Sequence, residues 1–150
     1  MITPNPADDG VHNINVWTNG KTRLGRLLTH LSDLSVDDPR YGRFSCGEGL
    51  YYYIKTGCVH EELRTMSGYE AKRYGQTLPR GRWVTDFWGE IKIANRARID
   101  QHPELRDLVE ESTLPFEHYY VYQNKVVVPR GSAQYCKMLE EIRADIFNGR

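Results

Sequence analysis

A carboxylate and an amine lie seven positions apart in one segment of this 150-residue chain. Glu48 and Lys55 bound a stretch that also contains Tyr51 and Tyr52. In an α-helix, residues seven apart lie two turns apart on the same face. A helical segment would therefore present a carboxylate, phenols and an amine along one stripe, and this set of groups is sufficient to cleave a glycosidic bond.

The ends of the segment favour a helix but also allow a purely structural interpretation. Ser45 is a good N-cap, Glu48 follows it by three residues as in a capping box, and Gly57 suits a C-terminal stop. In the structural interpretation, Glu48 binds the backbone amide of Ser45, and Lys55 complements the partial charge at the helix C-terminus. The tyrosines then belong to the hydrophobic core. The spacing alone leaves both interpretations open.

Several blocks of the sequence, in their order and spacing, resemble one known family. The blocks are residues 24–28, residues 44–55, residues 67–75, the tripeptide Gly81-Arg82-Trp83 and residues 98–106. They are similar to the NADAR superfamily, the YbiA-like N-glycosidases associated with NAD and ADP-ribose metabolism. The resemblance runs from about Ile14 to the C-terminus. It implies an α+β fold that is predominantly α-helical, compact and single-domain, with a small β component.

The resemblance assigns roles to three residues. The family's active-site glutamate matches Glu48, its lysine two turns later matches Lys55, and the tryptophan that begins its next long helix matches Trp83. Glu48 and Lys55 are then catalytic, and Trp83 stacks on substrate. The alternative for Trp83 is an ordinary position in the core. A glutamate in this place stabilises a cationic ribose or activates water. A lysine offers another route, because its amine attacks the ring-opened sugar to give a Schiff base.

Five further residues are candidates for binding substrate. Tyr51 and Tyr52 offer rings that would hold a purine-like leaving group, and His30 replaces a polar family residue that would hydrogen-bond the substrate. Arg80 and Arg82 lie on a loop before a predicted helix N-terminus, where guanidinium groups and amides hold a diphosphate. The alternative for this loop is a solvated basic segment.

Two departures from the family pattern favour a rival function. The family has Ser-Asn-Phe where this chain has Thr29-His30-Leu31, and the family's late acidic residue has no counterpart between Glu117 and Glu140. A chain that has lost an acidic residue of the site could bind ligand without cleaving it. The alternative is therefore a non-catalytic module that binds ADP-ribose or a related nucleotide.

The resemblance implies two groups of substrate. One is the phosphorylated ribosylamino-pyrimidines, and the other is ADP-ribose attached to guanine, including guanine in DNA. The expected partner is thus an ADP-ribosylated or phosphoribosylated small molecule or nucleobase. Twenty acidic and 20 basic residues give a net charge of zero, so any contact with DNA must be local.

Composition argues against metals, cofactors and membranes. The cysteines Cys46, Cys58 and Cys136 are scattered and form no CxxC pair, so we expect no metal site and no cofactor. The N-terminus lacks the apolar stretch of a signal peptide, and no segment has the length of a membrane span. We therefore expect a cytoplasmic protein, in the host cytoplasm if the source is viral.

Periodicity predicts the organisation of the chain. We expect a flexible polar arm over residues 1–12 and one domain over residues 13–150. Amphipathic spacing and capping signals predict helices over residues 24–34, 59–66, 68–75 and 83–101, and further helices that begin at Pro103 and Ser132. Alternating patterns predict a strand within residues 13–17 and two strands joined by a turn at Gln123-Asn124 within residues 116–128.

Overall fold

The computed structural model describes residues 2–81 and 86–150, and these form a mainly helical structure with short strands. The helices are α1 (Arg23–Leu28), α2 (Gly47–Lys55), α3 (Gly68–Thr77), α4 (Phe87–Gln101), α5 (Pro103–Glu111) and α6 (Ser132–Phe147). The strands are β1 (Ile14–Asn15), β2 (Val36–Asp38), β3 (Gly42–Phe44), β4 (Phe116–Glu117), β5 (Tyr120–Tyr122) and β6 (Lys125–Val127). Short 3-10 helices cover Pro6–Asp8 and Glu61–Thr65. The predicted α+β class, predominantly α-helical, is confirmed.

The chain divides into two compact units, where the sequence led us to expect one domain. Unit 1 combines Met1–Thr29 with Glu104–Arg150, and unit 2 is the continuous segment His30–Pro103. Each unit has its own buried apolar core. Every helix in the described parts of the chain is too short or too polar to cross a lipid bilayer.

Unit 1 is built on a parallel strand pair and the long C-terminal helix. β1 pairs with β4, with Ile14 opposite Phe116. The buried Asn15 side chain joins this strand pair to the backbone of Tyr119. Its Nδ2 donates to the Tyr119 carbonyl at 2.9 Å, and its Oδ1 accepts from the Tyr119 amide at 3.0 Å. α6 contributes one buried apolar stripe, whose members are Tyr135, Met138, Leu139, Ile142 and Ile146.

The N-terminal segment, which the sequence predicts to be a flexible arm over residues 1–12, makes hydrogen bonds within unit 1. Asn5 caps the first 3-10 helix, its side chain accepting from the Ala7 amide at 3.0 Å. Asp9 is buried, and its carboxylate accepts hydrogen bonds from the backbone amides of Asn15 and Lys21 at 2.9 and 2.8 Å. These bonds tie the segment to the start of the fold.

Unit 2 places α2 against α3, α4 and the second 3-10 helix. β2 and β3 form an antiparallel hairpin, with Val36 opposite Phe44, and β2 packs on α4. These two strands were not predicted from the sequence, because each is three residues long and too short to show alternation. The core of this unit comes mainly from the buried faces of α2 and α4 and from the hairpin: Val36, Phe44, Leu50, Tyr53, Ile54, Ile91 and Ile99.

Three predicted helices differ from the structure. The segment expected to be helical over residues 59–66 is the 3-10 helix Glu61–Thr65. The helix expected over residues 24–34 ends at Leu28, whose carbonyl accepts a hydrogen bond from the Tyr135 hydroxyl at 3.2 Å. The helix expected from Trp83 is described from Phe87, with Asp86 as its N-cap. Trp83 itself, with Arg82, Val84 and Thr85, lies outside the described residues.

Candidate functional site

The predicted helix that carries Glu48 exists, but a different residue caps it. α2 begins at Gly47, and Cys46 is its N-cap, with Sγ accepting from the Gly49 amide at 3.4 Å. The prediction of a capping box between Ser45 and Glu48 is therefore wrong. Cys46 is buried and Ser45 is exposed, so packing places Cys46 at the N-cap position. At the other end, Gly57 has a φ of 101°, the left-handed conformation that the predicted stop requires.

Glu48 lies in the first turn of α2 with no capping role for its side chain. Its backbone amide donates to the His30 carbonyl at 2.8 Å. Its carboxylate accepts no hydrogen bond and makes no direct ion pair among the residues that the structure describes, and it is only partly exposed. The structural interpretation of Glu48 as a capping partner is thus excluded, and the carboxylate stands available for another role.

Burial raises the pKa of the Glu48 carboxyl to about 7, against an ordinary value of 4.5. The positive charges of Lys72, Lys55 and Arg98 oppose this rise, Lys72 most strongly. A carboxyl with a pKa near neutrality both accepts and donates a proton at physiological pH, which is the property that general acid–base catalysis needs.

Lys55 lies two turns after Glu48, and its surroundings favour the neutral amine. Burial lowers the Lys55 pKa, the positive charge of Arg80 lowers it further, and the negative charge of Glu48 raises it. Its Nζ lies 5.3 Å from the ring centroid of Tyr51 and 5.5 Å from that of Tyr52. Glu48 and Lys55 therefore influence each other electrostatically without forming an ion pair, and the amine rests between two aromatic rings.

The two tyrosines between them have different environments. Tyr52 is buried, and its ring lies against Gly75 of α3, so it belongs to the packing between the two helices. Tyr51 is only partly buried, with its ring 5.6 Å from that of His30 and 5.7 Å from that of Phe87. Burial raises the Tyr51 pKa to about 12, so its hydroxyl stays protonated at neutral pH. Of the two, Tyr51 is the better candidate for contact with a ligand.

Tyr51 also lines a small, partly open pocket between α2 and α4. Neither Glu48 nor Lys55 lines it, although Gly47 and Leu50 of the same helix do. His30 closes one side, with its Nε2 3.0 Å from Nδ2 of the buried Asn95. The remaining lining residues are Val36, Ile91, Ala94, Asn95 and Arg98. The pocket thus holds two predicted substrate-binding residues but not the two predicted catalytic ones.

The loop that carries Arg80 is held at the C-terminal end of α2. The Gly81 amide donates to the Lys55 carbonyl at 3.3 Å, and a Cβ on Gly81 would lie 2.3 Å from the backbone nitrogen of Gly57. This close approach leaves no room for a side chain at position 81. The close approach keeps the exposed Arg80 near Lys55 and Tyr51. The positive charge of Arg80 lowers the Lys55 pKa and partly opposes the rise in the Tyr51 pKa. The predicted partners Arg82 and Trp83 lie outside the described residues.

A comparison with solved structures places this architecture beside one known protein. An NMR structure of the E. coli protein YbiA matches the chain with a TM-score of 0.69. The match covers 93% of this chain and 90% of the YbiA chain, at 18% sequence identity. The chain has the YbiA fold. No protein-family model and no curated protein sequence matches it.

Within this YbiA fold, three residues of the site were not predicted from the sequence: Arg98 and Lys72, whose charges act on Glu48, and Asn95, which contacts His30. Arg98 is 1% exposed, lies on α4 and donates a hydrogen bond to Ser32 Oγ. It occupies the apolar stripe of its helix, and a basic residue in such a stripe is a signal for a buried charge with a specific role. Asn95 lies on the same side of α4. Lys72 is exposed on α3, and its sequence context carries no signal at all.

The YbiA fold offers no obvious metal centre in the parts of this chain that the structure describes. No cluster of three or more His, Cys, Asp or Glu side chains occurs in residues 2–81 and 86–150. The cysteines are free thiols, Cys46 buried and Cys58 and Cys136 partly so.

Proposed function

We propose that the protein is an N-glycosidase that hydrolyses the bond between a ribose and a nitrogenous base in a substrate carrying phosphate, such as an ADP-ribosylated base. The observation that carries this proposal is the paired environment of Glu48 and Lys55. One helix presents a carboxyl whose pKa is raised to about 7 and an amine whose pKa is lowered. Opposite shifts of this kind separate the acid–base and nucleophilic roles that such a reaction requires.

In the first step, the neutral Lys55 amine attacks C1 of the ribose and the bond from C1 to the base breaks. The base leaves with the bonding electrons, and a proton lost by the lysine nitrogen passes through the Glu48 carboxylate to the departing nitrogen. Opening of the sugar ring leaves a Schiff base between Lys55 and C1. The ionised Glu48 also stabilises the positive charge that develops on the ribose.

In the second step, water adds to C1 of the Schiff base and Glu48 takes one of its protons. The bond from C1 to the lysine nitrogen then breaks, the proton returns to that nitrogen, and the free sugar is released. The net reaction consumes one water and yields the base and the ribose. Direct attack of water on C1, with Glu48 as the base, gives the same products without a covalent stage.

The charges around Glu48 favour an anionic substrate. Lys72 and Arg98 act on the one carboxylate, and Arg80 acts on the neighbouring Lys55. This excess of positive charge complements phosphate groups, which both substrate classes carry. The aromatic ring of Tyr51 is the described surface on which a base can rest.

The direct test is release of free base by the purified protein. ADP-ribosylated guanine, as a nucleotide and within a short single-stranded DNA, should be assayed beside a phosphoribosyl-pyrimidine. We expect release from at least one substrate, and Glu48→Gln should lower the rate by about 10²–10³. The matched control is Glu62→Gln, which changes an exposed carboxylate of unit 2.

A second candidate function is a non-catalytic module that binds ADP-ribose. The absence of acidic residues between Glu117 and Glu140 favours it, because the related enzymes carry a late acidic residue there. Such a module would be stabilised by ADP-ribose through mass action but would release no base. Binding without cleavage of any of the three substrates would replace the hydrolase proposal with this one.

A further inference from the structure

The stretch of α3 that faces Glu48 can be located from contacts at both ends of that helix. Gly68, at its start, would place a Cβ 2.6 Å from the Leu31 carbonyl oxygen. Gly47, at the start of α2, would place one 3.2 Å from the neighbouring His30. Both helices therefore begin against the same short segment of chain. Towards its C-terminal end, α3 meets α2 again where Gly75 lies against the ring of Tyr52.

Lys72 and Glu48 lie between these two points of contact. On α2, Glu48 follows Gly47 and precedes Tyr52 by one turn. On α3, Lys72 follows Gly68 by one turn and precedes Gly75 by three residues, so it flanks the buried stripe that packs on α2. Side chains on a helix lean towards its N-terminus, which directs the long Lys72 side chain towards Glu48. The electrostatic effect of Lys72 on Glu48, the largest of any described charge, agrees with this placement.

We propose that Lys72 and Arg80 form a phosphate-binding rim at the Glu48 site and that Lys72 selects substrates that carry phosphate. The two cations come from different segments, α3 and the loop fixed by Gly81. Both are exposed and reach solvent, whereas Lys55 is half-buried between the tyrosine rings and keeps its separate nucleophilic role. Lys72 therefore contacts the ligand without being needed for the bond-breaking step. This inference rests on the proposed function for the location of the reacting ribose.

The neighbouring Arg73 supplies a matched control. It has the same charge, lies on the same helix and is exposed, but it is rotated by one residue away from the stripe that faces α2. Of the charges that act on the Glu48 carboxyl, Lys72 has the largest effect. A loss of general positive charge would affect both variants equally, and a phosphate-binding role affects only Lys72.

The experiment measures binding of ADP-ribose and of adenosine, by calorimetry, to the wild-type protein and its Lys72→Ala, Lys72→Arg and Arg73→Ala variants. ADP-ribose is a product of the proposed reaction, so its binding does not depend on whether the protein cleaves anything. We expect Lys72→Ala to weaken the binding of ADP-ribose about 10- to 100-fold, because a charge-assisted hydrogen bond is lost. Lys72→Arg should stay within about threefold of wild type, and adenosine should bind all four proteins alike.

Three results for the variants would overturn the inference. They are unchanged affinity of Lys72→Ala for ADP-ribose, an equal loss in Arg73→Ala, and an equal loss of adenosine binding. A wild-type protein that binds ADP-ribose no more tightly than adenosine would also contradict it. Lys72→Gln, which keeps most of the side-chain length, replaces Lys72→Ala if that variant does not fold. Absence of base release combined with the expected binding pattern would refute the hydrolase and leave the rim intact.

Discussion

Gly75 of α3 lies against the ring of Tyr52 of α2 so closely that a Cβ on Gly75 would be 2.2 Å from Tyr52 Cγ. No real carbon pair tolerates that separation without movement of one partner. Because Tyr52 is buried and lies one turn after Glu48, the contact sets how closely the two helices approach at the site. The glycine therefore holds Lys72 within reach of Glu48.

Gly75→Ala should destabilise the protein by forcing the Tyr52 ring out of place. Overpacking of this kind costs about 1–3 kcal/mol, against a gain of about 1 kcal/mol in helix propensity. Urea denaturation of the variant measures the net effect. Combining it with Tyr52→Leu removes the ring that the new methyl group meets, so the double variant should lose less stability than the sum of the two single changes. Strict additivity would show that the two residues do not press on each other.

The raised pKa of Glu48 predicts a specific dependence of stability on pH. Between the unfolded value of 4.5 and the folded value of about 7, the folded protein holds a proton on Glu48 that the unfolded chain has released. The contribution of this group to stability is therefore fully present at low pH. It is lost as pH rises through that window, by up to about 1.4 kcal/mol per pH unit.

Glu48→Gln should remove this dependence. Relative to wild type, the variant should gain stability as the pH is raised from about 5 to about 8, because the wild type alone must bury a charge. Urea unfolding at several pH values gives the difference curve. Glu62→Gln, at an exposed position, should give a curve without that rise. A flat difference for Glu48→Gln would mean that the Glu48 carboxyl ionises normally in the folded protein.

Activity should rise with pH through about 7, because the ionised form of Glu48 acts in the reaction and its pKa is about 7. Lys72→Ala should move the midpoint of this rise upwards, since the positive charge of Lys72 lowers the Glu48 pKa. A displacement of one pH unit would lower the rate on the acid side about tenfold. The other titratable or charged groups around Glu48 are His30, Cys46, Tyr51, Tyr52, Lys55 and Arg98. Arg73→Ala should leave the midpoint in place, and a midpoint unchanged in both variants would contradict the assignment.

Sodium borohydride added during turnover should trap the sugar on Lys55, because it reduces a Schiff base to a stable amine. Mass spectrometry of the digested protein identifies the modified residue. Lys55→Ala should abolish the adduct, and Lys21→Ala, at an exposed lysine of unit 1, should not. Release of base without any adduct would establish the direct attack of water assisted by Glu48.

Local signals in the sequence predicted the elements whose stability is local. The capping box of Ser67 and Glu70 begins α3, with both of its hydrogen bonds present. The turn at Gln123 and Asn124 has the positive φ values, 49° and 63°, that such residues tolerate. In each case neighbours in the chain supply the interactions, so the pattern is complete in the sequence itself.

Tertiary contacts decided the elements that the sequence placed wrongly. Ser45 has the better capping side chain, yet the buried Cys46 caps α2 because packing fixes the start of the helix. The helix expected to continue through Leu31 ends at Leu28, and the chain beyond supplies the carbonyl of His30 to the Glu48 amide. For the site, spacing identified Glu48 and Lys55 but could not identify Lys72, because it lies on another helix and approaches Glu48 only after α3 packs on α2.

The division of the chain has a consequence for the order in which the protein forms during synthesis. Unit 2 is continuous in sequence, and Glu48, Lys55, Lys72 and Arg80 all belong to it. Unit 1 needs its C-terminal part, because β1 pairs with β4 and the core includes α6. A ribosome therefore releases every residue of unit 2 before unit 1 has its second half, and the contacts of unit 2 are of shorter sequence range. The segment that carries the candidate site can therefore fold on the nascent chain before β4, the partner strand of β1, has been synthesised.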